Sequence, residues 1–185
     1  MLDVISQSCP FSWTPDIMDQ VIMTTLPFVN LMAASHLAGY HFASEAVIMP
    51  NTLSTADTVT ILQEFYRTLD VGRKYAPAMV AATTAGFLLQ SSWNGRGTYD
   101  FVFNMMAGTS MGLLIPYTYF GIVPYNDKLL SEYKIMREAK KQDFTYHGNL
   151  QEVRGLVLEW RRRDFHRMIL VKLSALFGFL AMLGL

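Results

Sequence analysis

Residues 159–185 read EWRRRDFHRMILVKLSALFGFLAMLGL, and they change from charged to apolar within a single helical turn. The first nine contain four arginines, two acids, a histidine and a tryptophan, whereas the following 18 contain one charge, Lys172. A run of this length and polarity is typical of a helix that crosses a bilayer with its charged end among the headgroups. Because residues 147–173 contain no proline, we expect a single long helix that continues into the apolar run.

The composition of the whole chain is that of a membrane protein. Hydrophobic residues make up 51% of the 185 positions and charged residues 16%, against about 25% charged residues in an average soluble domain. The length fits one domain, residues 1–185. Four apolar stretches are candidate spans, at residues 21–49, 76–93, 101–123 and 168–185. The formal net charge of zero offers no bulk attraction to nucleic acid, so the expected partner is the lipid bilayer.

The basic residues are unevenly distributed among the connections between these spans. Arginines and lysines concentrate after the first span and after the third, while the first 20 residues contain none and the connection at residues 94–100 contains only Arg96. In membrane proteins the cytosolic loops carry the excess of basic residues. The pattern therefore predicts four spans with both termini outside the cytosol. The start of the chain, which lacks basic residues, does not resemble a secretory signal peptide.

Both basic connections have the pattern of helices. In residues 55–77, apolar side chains recur three or four positions apart, at Val59, Leu62, Phe65 and Leu69. This spacing predicts an amphipathic helix that lies on the membrane or caps the spans. Residues 125–167 form a longer charged segment, which we expect to be helical and cytosolic. The predicted fold is thus an all-α, integral membrane four-helix bundle, with an interfacial helix between spans one and two and a charged helical segment before span four.

Two polar side chains of the first span, His41 and Glu45, are four residues apart and therefore share a face of a helix. Asn30 precedes His41 by about three helical turns and lies on the same stripe. Polar groups inside a span are costly to bury and usually serve a function or pair with another helix. The pair fits a general base oriented by a carboxylate, two ligands of a metal site, or a polar contact to a neighbouring helix.

A metal site would need a third ligand, for which Asp70, Asp164 and His166 are available. No two histidines have the spacing of an HxxxH or HExxH motif, so we expect no bound metal. The single cysteine excludes a multi-thiolate site and an intrachain disulfide.

Residues 115–126, IPYTYFGIVPYN, end the third span with two prolines around a group of aromatic and polar side chains. Pro116 frees a backbone carbonyl in the preceding turn, and Tyr117 and Asn126 add hydrogen-bonding groups nearby. Such a segment fits a pocket for a flat aromatic ligand, or an aromatic belt at the bilayer surface.

The helical register separates the charged side chains before the fourth span into two groups. Trp160, Asp164 and Arg167 are at positions i, i+4 and i+7, and therefore share one face. Arg161 and Arg162 point elsewhere, and we expect them to anchor the end of the helix to anionic headgroups. The shared face fits a ligand site better than a simple anchor, because a carboxylate opposes attraction to such headgroups.

Four short elements follow one another along the chain. They are Gly39, Ser44 and Pro50 in the first span, LDVGRKYAP at residues 69–77, PYTYFGIVPYN at residues 116–126, and VRGLVLEWRRRDFHR at residues 153–167. In this order they resemble a family of small four-span membrane proteins that includes fungal anthrone oxygenases, the DUF1772 family. The chain departs from the family pattern at Phe65, Leu69 and Asp164, where tryptophan, tyrosine, and histidine or asparagine are expected.

The resemblance implies an oxygenase that converts a polyketide anthrone to an anthraquinone in the endoplasmic reticulum or another endomembrane. It implies dioxygen as co-substrate and no cofactor, because the substrate supplies the electrons. Such an enzyme needs a base, a clamp for an oxyanion, and a dry apolar slot. The catalytic candidates are His41, Asp164, His166 and Arg167, and the substrate-binding candidates are Arg73, Tyr117, Asn126, Trp160, Glu45 and Asp70.

Two other functions fit the same sequence. A non-oxidative cyclase, isomerase or dehydratase acting on a polyketide or terpenoid needs a base and a clamp but no dioxygen. A non-enzymatic scaffold would use the charged segment at residues 125–167 to hold soluble pathway enzymes at the membrane. The expected protein partners are such enzymes or further copies of the same chain. In both catalytic cases the expected partner is a hydrophobic small molecule.

Overall fold

The computed structural model describes residues 15–55, 57–146 and 148–184. Those residues contain only helices and the turns between them, so the prediction of an all-α fold is confirmed. The helices are α1 (Pro15–Ala43), α2 (Met49–Ser54), α3 (Thr58–Trp93), α4 (Tyr99–Gly112), α5 (Leu114–Tyr117), α6 (Val123–Lys141) and α7 (Leu150–Met182). Two short π-helical turns, Ser44–Ile48 and Thr118–Ile122, join α1 to α2 and α5 to α6.

Long helical segments pack side by side in alternating directions. Asn30 of α1 lies against Gly86 of α3, and Tyr40 lies against Gly72, so residue numbers in the two helices run oppositely. The connections between successive segments are short, which favours antiparallel neighbours. This antiparallel packing brings polar side chains that are far apart in the sequence to the same height along the helix axes.

Arg154 of α7 closes the end of α2. Its guanidinium donates hydrogen bonds to the carbonyl oxygens of Leu53 (3.0 Å) and Thr55 (2.6 Å). The last carbonyl groups of a helix have no partner within the helix, so Arg154 satisfies two acceptors that would otherwise depend on water. The contact also fixes the register of α7 against the first helical segment.

Buried apolar side chains form two cores along the helices. The charged-end core, near the α2–α3 and α6–α7 connections, contains Met49, Ile61, Leu62, Phe65, Ile122, Leu129, Met136, Val153, Val157 and Trp160. The apolar-end core, toward the α3–α4 connection, contains Ala34, Leu37, Val80, Phe87, Ala107, Met111, Leu114 and Val171. Because α3 and α7 contribute to both, the two cores belong to one continuous helical body.

Helix α7 runs from Leu150 to Met182 without interruption, which confirms the prediction of one helix through the charged and apolar parts. Asn149 caps it by accepting hydrogen bonds from the N–H groups of Gln151 (3.1 Å) and Glu152 (3.3 Å). At 1.5 Å per residue, its 33 residues extend about 50 Å. The hydrocarbon core of a bilayer is about 30 Å thick, so a membrane-crossing α7 extends well beyond it.

Among the described residues, three helical segments are long and apolar enough to cross a membrane: Met18–Ser54, Tyr99–Lys141 and Leu150–Met182. They contain all of the predicted first and third spans and residues 168–182 of the predicted fourth span. The predicted second span, residues 76–93, lies in α3, which is not one of the three. Buried polar residues lower the hydropathy of this part of α3, namely Thr83, Gln90 and Ser91.

The prediction of an interfacial helix separate from the second span is wrong. Helix α3 is one helix, Thr58–Trp93, and passes through Pro77. Proline at this position removes a single N–H, the one that would bond the carbonyl of Arg73, and the helix continues despite the loss. The apolar side chains that produced the amphipathic pattern, including Leu62 and Phe65, are buried in the charged-end core and do not face lipid.

Asp57 begins α3 as its N-cap. Its carboxylate accepts hydrogen bonds from the hydroxyl of Thr60 (2.5 Å) and from the backbone N–H groups of Thr60 (2.9 Å) and Val59 (3.1 Å). These bonds, that of the Thr60 hydroxyl above all, lower the pKa of Asp57 below its usual value, since they favour the charged form.

Replacing Gly178 by alanine is expected to destabilise the fold, whereas the same change at Gly155 is not. Both glycines lie within α7, but a Cβ atom at Gly178 would be 2.7 Å from ring carbons of the buried Phe87, and a Cβ atom at Gly155 would meet nothing within 4 Å. Overpacking of this kind costs about 1–3 kcal/mol, while alanine gains about 0.5–1 kcal/mol over glycine in an open helical position. Thermal unfolding of both variants in detergent measures the difference, and equal midpoints would contradict the contact.

Candidate functional site

A cavity of about 360 Å³ lies between α1, α3, the α5–α6 junction and α7, where the two cores meet. We call it the main cavity. Six of the predicted site residues lie in its wall: His41, Arg73, Asn126, Trp160, Asp164 and Arg167. Most of the remaining wall is apolar and includes Val80, Leu114 and Ile115. Cavities of this size, apolar with a few convergent polar groups, are typical of small-molecule sites.

The carboxylate of Asp164 joins α1 to α7 at the wall of the main cavity. His41 Nδ1 lies 3.3 Å from both carboxylate oxygens, and Arg167 donates to the same carboxylate through Nε (2.7 Å) and Nη2. His41 and Asp164 are both buried. An ionised carboxylate only accepts hydrogen bonds, so Nδ1 carries a hydrogen, and Nε2 of a neutral His41, a residue of the cavity wall, is left as a proton acceptor.

Asn126 and Trp160 form a second fixed pair in the wall. The indole Nε1–H of Trp160 donates to Asn126 Oδ1 at 2.7 Å. Indole nitrogen is only a donor, which fixes the orientation of the amide and leaves the two hydrogens on Asn126 Nδ2 available to a ligand. Trp160 packs edge-to-face on Phe65, with ring centroids 5.3 Å apart, and the Arg167 guanidinium lies 5.9 Å from its ring.

Arg73 lies at the open edge of the main cavity. Its side chain is 55% exposed, and its nearest carboxylate, Asp70, is 3.8 Å away. Asp70 instead makes a short ion pair with Lys74, at 2.6 Å. The side chains of Ile115 and Tyr119, in the cavity wall, are also exposed. One side of the cavity therefore opens toward the surroundings, next to the weakly paired Arg73.

The two π-helical turns place hydroxyl side chains at the main cavity. Ser44 and Thr118 are the first residues of the two turns, and both lie in the cavity wall. Each turn is followed, after one further residue, by a proline, Pro50 or Pro124. Proline lacks the N–H that would continue the hydrogen-bond ladder, and the preceding residues bond five positions back in its place. Single π turns of this kind frequently occur at functional sites.

A family model described as anthrone oxygenase matches residues 65–177, which is more than half of the chain. The chain belongs to the anthrone oxygenase family. The resemblance predicted from the four sequence elements is thereby confirmed. No curated protein and no solved structure is significantly similar to the chain.

In this member of the anthrone oxygenase family, the matched region supplies the α3, α5–α6 and α7 walls of the main cavity. The residues concerned include Arg73, Asn126, Trp160, Asp164 and Arg167. His41 and Ser44 come from the first helical segment, which precedes the matched residues. The donors therefore lie within the family match, while the histidine that faces them is contributed by the rest of the chain.

Of the three alternatives for His41 and Glu45, the structure fits the polar contact to a neighbouring helix, because both side chains bond α7 and Glu45 does not contact His41. Glu45 accepts two hydrogen bonds from Arg161 Nε, at 3.0 and 3.1 Å, and Arg161 Nη2 donates to the carbonyl oxygen of Glu45 at 3.3 Å. That carbonyl is free because Pro50, five residues later, has no N–H. The π turn also changes the direction of Glu45 relative to the preceding α-helix. The carboxylate beside His41 is thus that of Asp164, and Arg161, which was expected to be a solvated anchor, is part of an ion pair.

Three further predicted site residues lie outside the main cavity. Tyr117 Oη is 3.0 Å from His166 Nδ1 and 3.2 Å from the carbonyl oxygen of Arg163, so these side chains contact each other away from the cavity wall. His166 follows Asp164 by two positions, which places it on the other side of α7. Asp70 is paired with Lys74. Arg162 is exposed, as expected of an anchoring residue.

The structure adds Tyr40 to the wall, a residue that sequence reasoning missed. Its hydroxyl donates to the carbonyl oxygen of Thr68 at 2.9 Å. A Cβ atom at Gly72 would be 2.7 Å from that hydroxyl, so the glycine makes room for the tyrosine. Gly72, in the LDVGRKYAP element, is the sequence feature that could have indicated this close contact. Among residues 15–55, 57–146 and 148–184, no three His, Cys, Asp or Glu side chains converge.

Replacing Arg161 by methionine is expected to destabilise the protein, whereas replacing the adjacent Arg162 is not. The Glu45 side chain is 13% exposed, and loss of its hydrogen-bonded cation leaves a largely buried carboxylate unpaired. Hydrogen bonds to charged groups contribute about 1.5–3 kcal/mol, and exposed substitutions change stability by less than about 0.5 kcal/mol. Unfolding of both variants in detergent tests this expectation, and equal effects at the two positions would show that Arg161 is a solvated anchor.

Proposed function

We propose that the protein is a membrane-embedded oxygenase that oxidises a lipophilic, phenolic, anthrone-type polyketide to a quinone with dioxygen. The observation that carries the proposal is the main cavity, in which a histidine held by a carboxylate faces cationic and amide donors across apolar walls. Membership of the anthrone oxygenase family supports the same class of reaction. The cavity volume of about 360 Å³ suits a compact fused-ring ligand.

The first step is removal of a proton from the doubly benzylic carbon of the substrate. His41 Nε2 accepts this proton, and Asp164 stabilises the imidazolium that forms. Arg167, on the other side of Asp164, keeps the carboxylate ionised and in position. A base whose orientation is fixed by a third group follows the logic of other His–carboxylate pairs in enzymes.

The second requirement is stabilisation of the anion that remains. Loss of the proton turns the substrate into an aromatic phenolate, whose negative charge develops on the oxygen across the central ring from the deprotonated carbon. Asn126 Nδ2 and the guanidinium of Arg73 are the donors proposed for this oxygen. Donors held in place in a dry site stabilise such charge more strongly than water does, and the contact with Trp160 holds the amide of Asn126.

Dioxygen then completes the reaction. The carbanion passes one electron to dioxygen, and the resulting carbon radical and superoxide combine to form a C–O bond. The peroxide takes up the proton held by His41. Removal of the second hydrogen from the same carbon as a proton forms the carbonyl, breaks the O–O bond and releases water. The methylene group and dioxygen thus give a carbonyl and water, so we propose that no cofactor or metal supplies electrons.

We further propose that residues 1–185 form one domain that crosses an endomembrane four times. Helix α3 is proposed as the remaining span, although its hydropathy alone does not identify it as one. Helix α3 packs antiparallel to α1, a segment that is itself long and apolar enough to cross. The termini would lie outside the cytosol, and the main cavity near the cytosolic surface. Its apolar wall on one side and Arg73 on the other fit a ligand that is dissolved in lipid but carries phenolic oxygens.

Replacing His41 by alanine should lower turnover of an anthrone by about 10²–10⁴-fold, the usual contribution of a general base. His166→Ala should leave the rate near that of the wild type, because His166 bonds Tyr117 outside the cavity. The assay follows quinone formation by purified protein in detergent after chelation, corrected for spontaneous air oxidation. Equal rates for the two variants would place the base elsewhere, and wild-type protein with no activity above the spontaneous rate would refute the oxygenase proposal.

The source of the new oxygen distinguishes the proposed oxidation from cyclisation, isomerisation or dehydration. In an atmosphere of ¹⁸O₂, the new quinone carbonyl should contain one labelled atom, and water should contain the other. Without dioxygen the protein should form no product. Mass spectrometry of the quinone, extracted quickly to limit exchange with water, measures the label, and anaerobic product formation would favour a non-oxidative enzyme.

A further inference from the structure

We propose that Ser44 forms a subsite for the dioxygen-derived peroxide, next to His41, in the main cavity. This inference rests on the proposed oxygenase function and deepens it. Ser44 lies in the cavity wall and is 1% exposed. Its Oγ atom makes no hydrogen bond among the described residues, so a buried hydroxyl beside the catalytic histidine is without a partner.

Several other hydroxyls in the helices are satisfied by their own backbone. Thr25 donates to the carbonyl of Val21 (2.6 Å), and Thr52 donates to that of Ile48 (2.9 Å). Thr24, Thr68, Ser91 and Ser92 bond in the same way to carbonyls three or four residues earlier. Such back-bonding is common for Ser and Thr in helices. Ser44, like Thr84, makes no such bond, but Ser44 lies in the wall of the main cavity and begins the π turn that precedes Pro50.

The position of Ser44 next to His41 indicates which oxygen its hydroxyl would bind. Ser44 follows His41 by three residues, so the two side chains lie on neighbouring parts of one face. The carbon that loses its proton to His41 is the carbon that gains the peroxide. Asn126 and Arg73 lie on other helices and are assigned to the oxygen across the ring. Ser44 is thus the hydroxyl next to the reacting carbon.

The proposed role covers two events on the same atoms. When the carbon radical and superoxide combine, the Ser44 hydroxyl donates a hydrogen bond to the peroxide while His41 Nε2 returns its proton. His41 Nε2, neutral again, then takes the second benzylic proton, the C–H electron pair forms the carbonyl, and the O–O bond breaks. The departing oxygen leaves as hydroxide and takes up a proton to become water, and Ser44 stabilises the charge that develops on it. Dioxygen is the oxidant, and the substrate supplies all the electrons.

The test separates proton removal from oxygen chemistry in single-residue variants. Under anaerobic conditions in D₂O, the wild-type protein should exchange the benzylic hydrogen of an anthrone for deuterium through His41, without any oxidation. Ser44→Ala should exchange at the wild-type rate but show kcat/KM for dioxygen lowered by about 10²-fold, as when one oxyanion donor is removed. Ser44→Cys, with a weaker donor, should be intermediate. His41→Ala should lose both activities.

Thr84 provides a matched control. Its hydroxyl is also buried without a partner, but Thr84 does not lie in the wall of the main cavity. Thr84→Ala should therefore match the wild type in both assays. If Ser44→Ala slows exchange and oxidation equally, or changes neither, the peroxide subsite is refuted and the oxygenase proposal stands. If the wild type neither exchanges nor oxidises, the proposed function itself fails, and the subsite fails with it.

Discussion

The buried carboxylate of Asp164 is the constraint on which the geometry of the site depends. An ionised carboxylate away from water is tolerated only when charged or hydrogen-bonding partners surround it. Here the partners are Arg167, one helical turn later, and His41, which is 123 positions earlier on another helix. Satisfying both at once fixes the rotation of α7 and its height against α1. That rotation also directs Trp160 toward Asn126 and gives Arg161 access to Glu45, so one electrostatic requirement sets several contacts.

Two prolines act on the same region through the backbone. Pro50 and Pro124 each lack an N–H, and the helices before them adjust by forming a π turn. The adjustment frees the carbonyl of Glu45 for Arg161 and places Ser44 and Thr118 in the cavity wall. Continuous helices would leave no gap between well-packed cores. The cavity therefore occurs where the charged-end and apolar-end cores meet and where two helices are irregular, which is the usual location of a site on an otherwise regular scaffold.

The regular 3.6-residue period of the α-helix explains which features could be predicted from the sequence and which could not. The shared face of Trp160, Asp164 and Arg167 follows from 3.6 residues per turn, and all three lie in the wall of the main cavity. The same rule places His41 and Glu45 on one face, and both do contact α7, but it could not choose among the roles left open for the pair. Contacts between distant segments, such as Arg161 with Glu45, leave no local pattern to read. The continuity of α3 through Pro77 was missed because a proline normally ends a helix, and here tertiary packing outweighed that preference.

The separation of His41 and Asp164 along the chain has a consequence for the biogenesis of the protein. A chain leaves the ribosome from its N-terminus, so α1 is made long before α7. During that interval His41 and Glu45 have neither of the partners that they bond in the finished molecule. A segment with two such polar groups is poorly suited to lipid on its own. For an α1 that crosses a bilayer, synthesis of α7 thus supplies the hydrogen-bonding partners of its polar end.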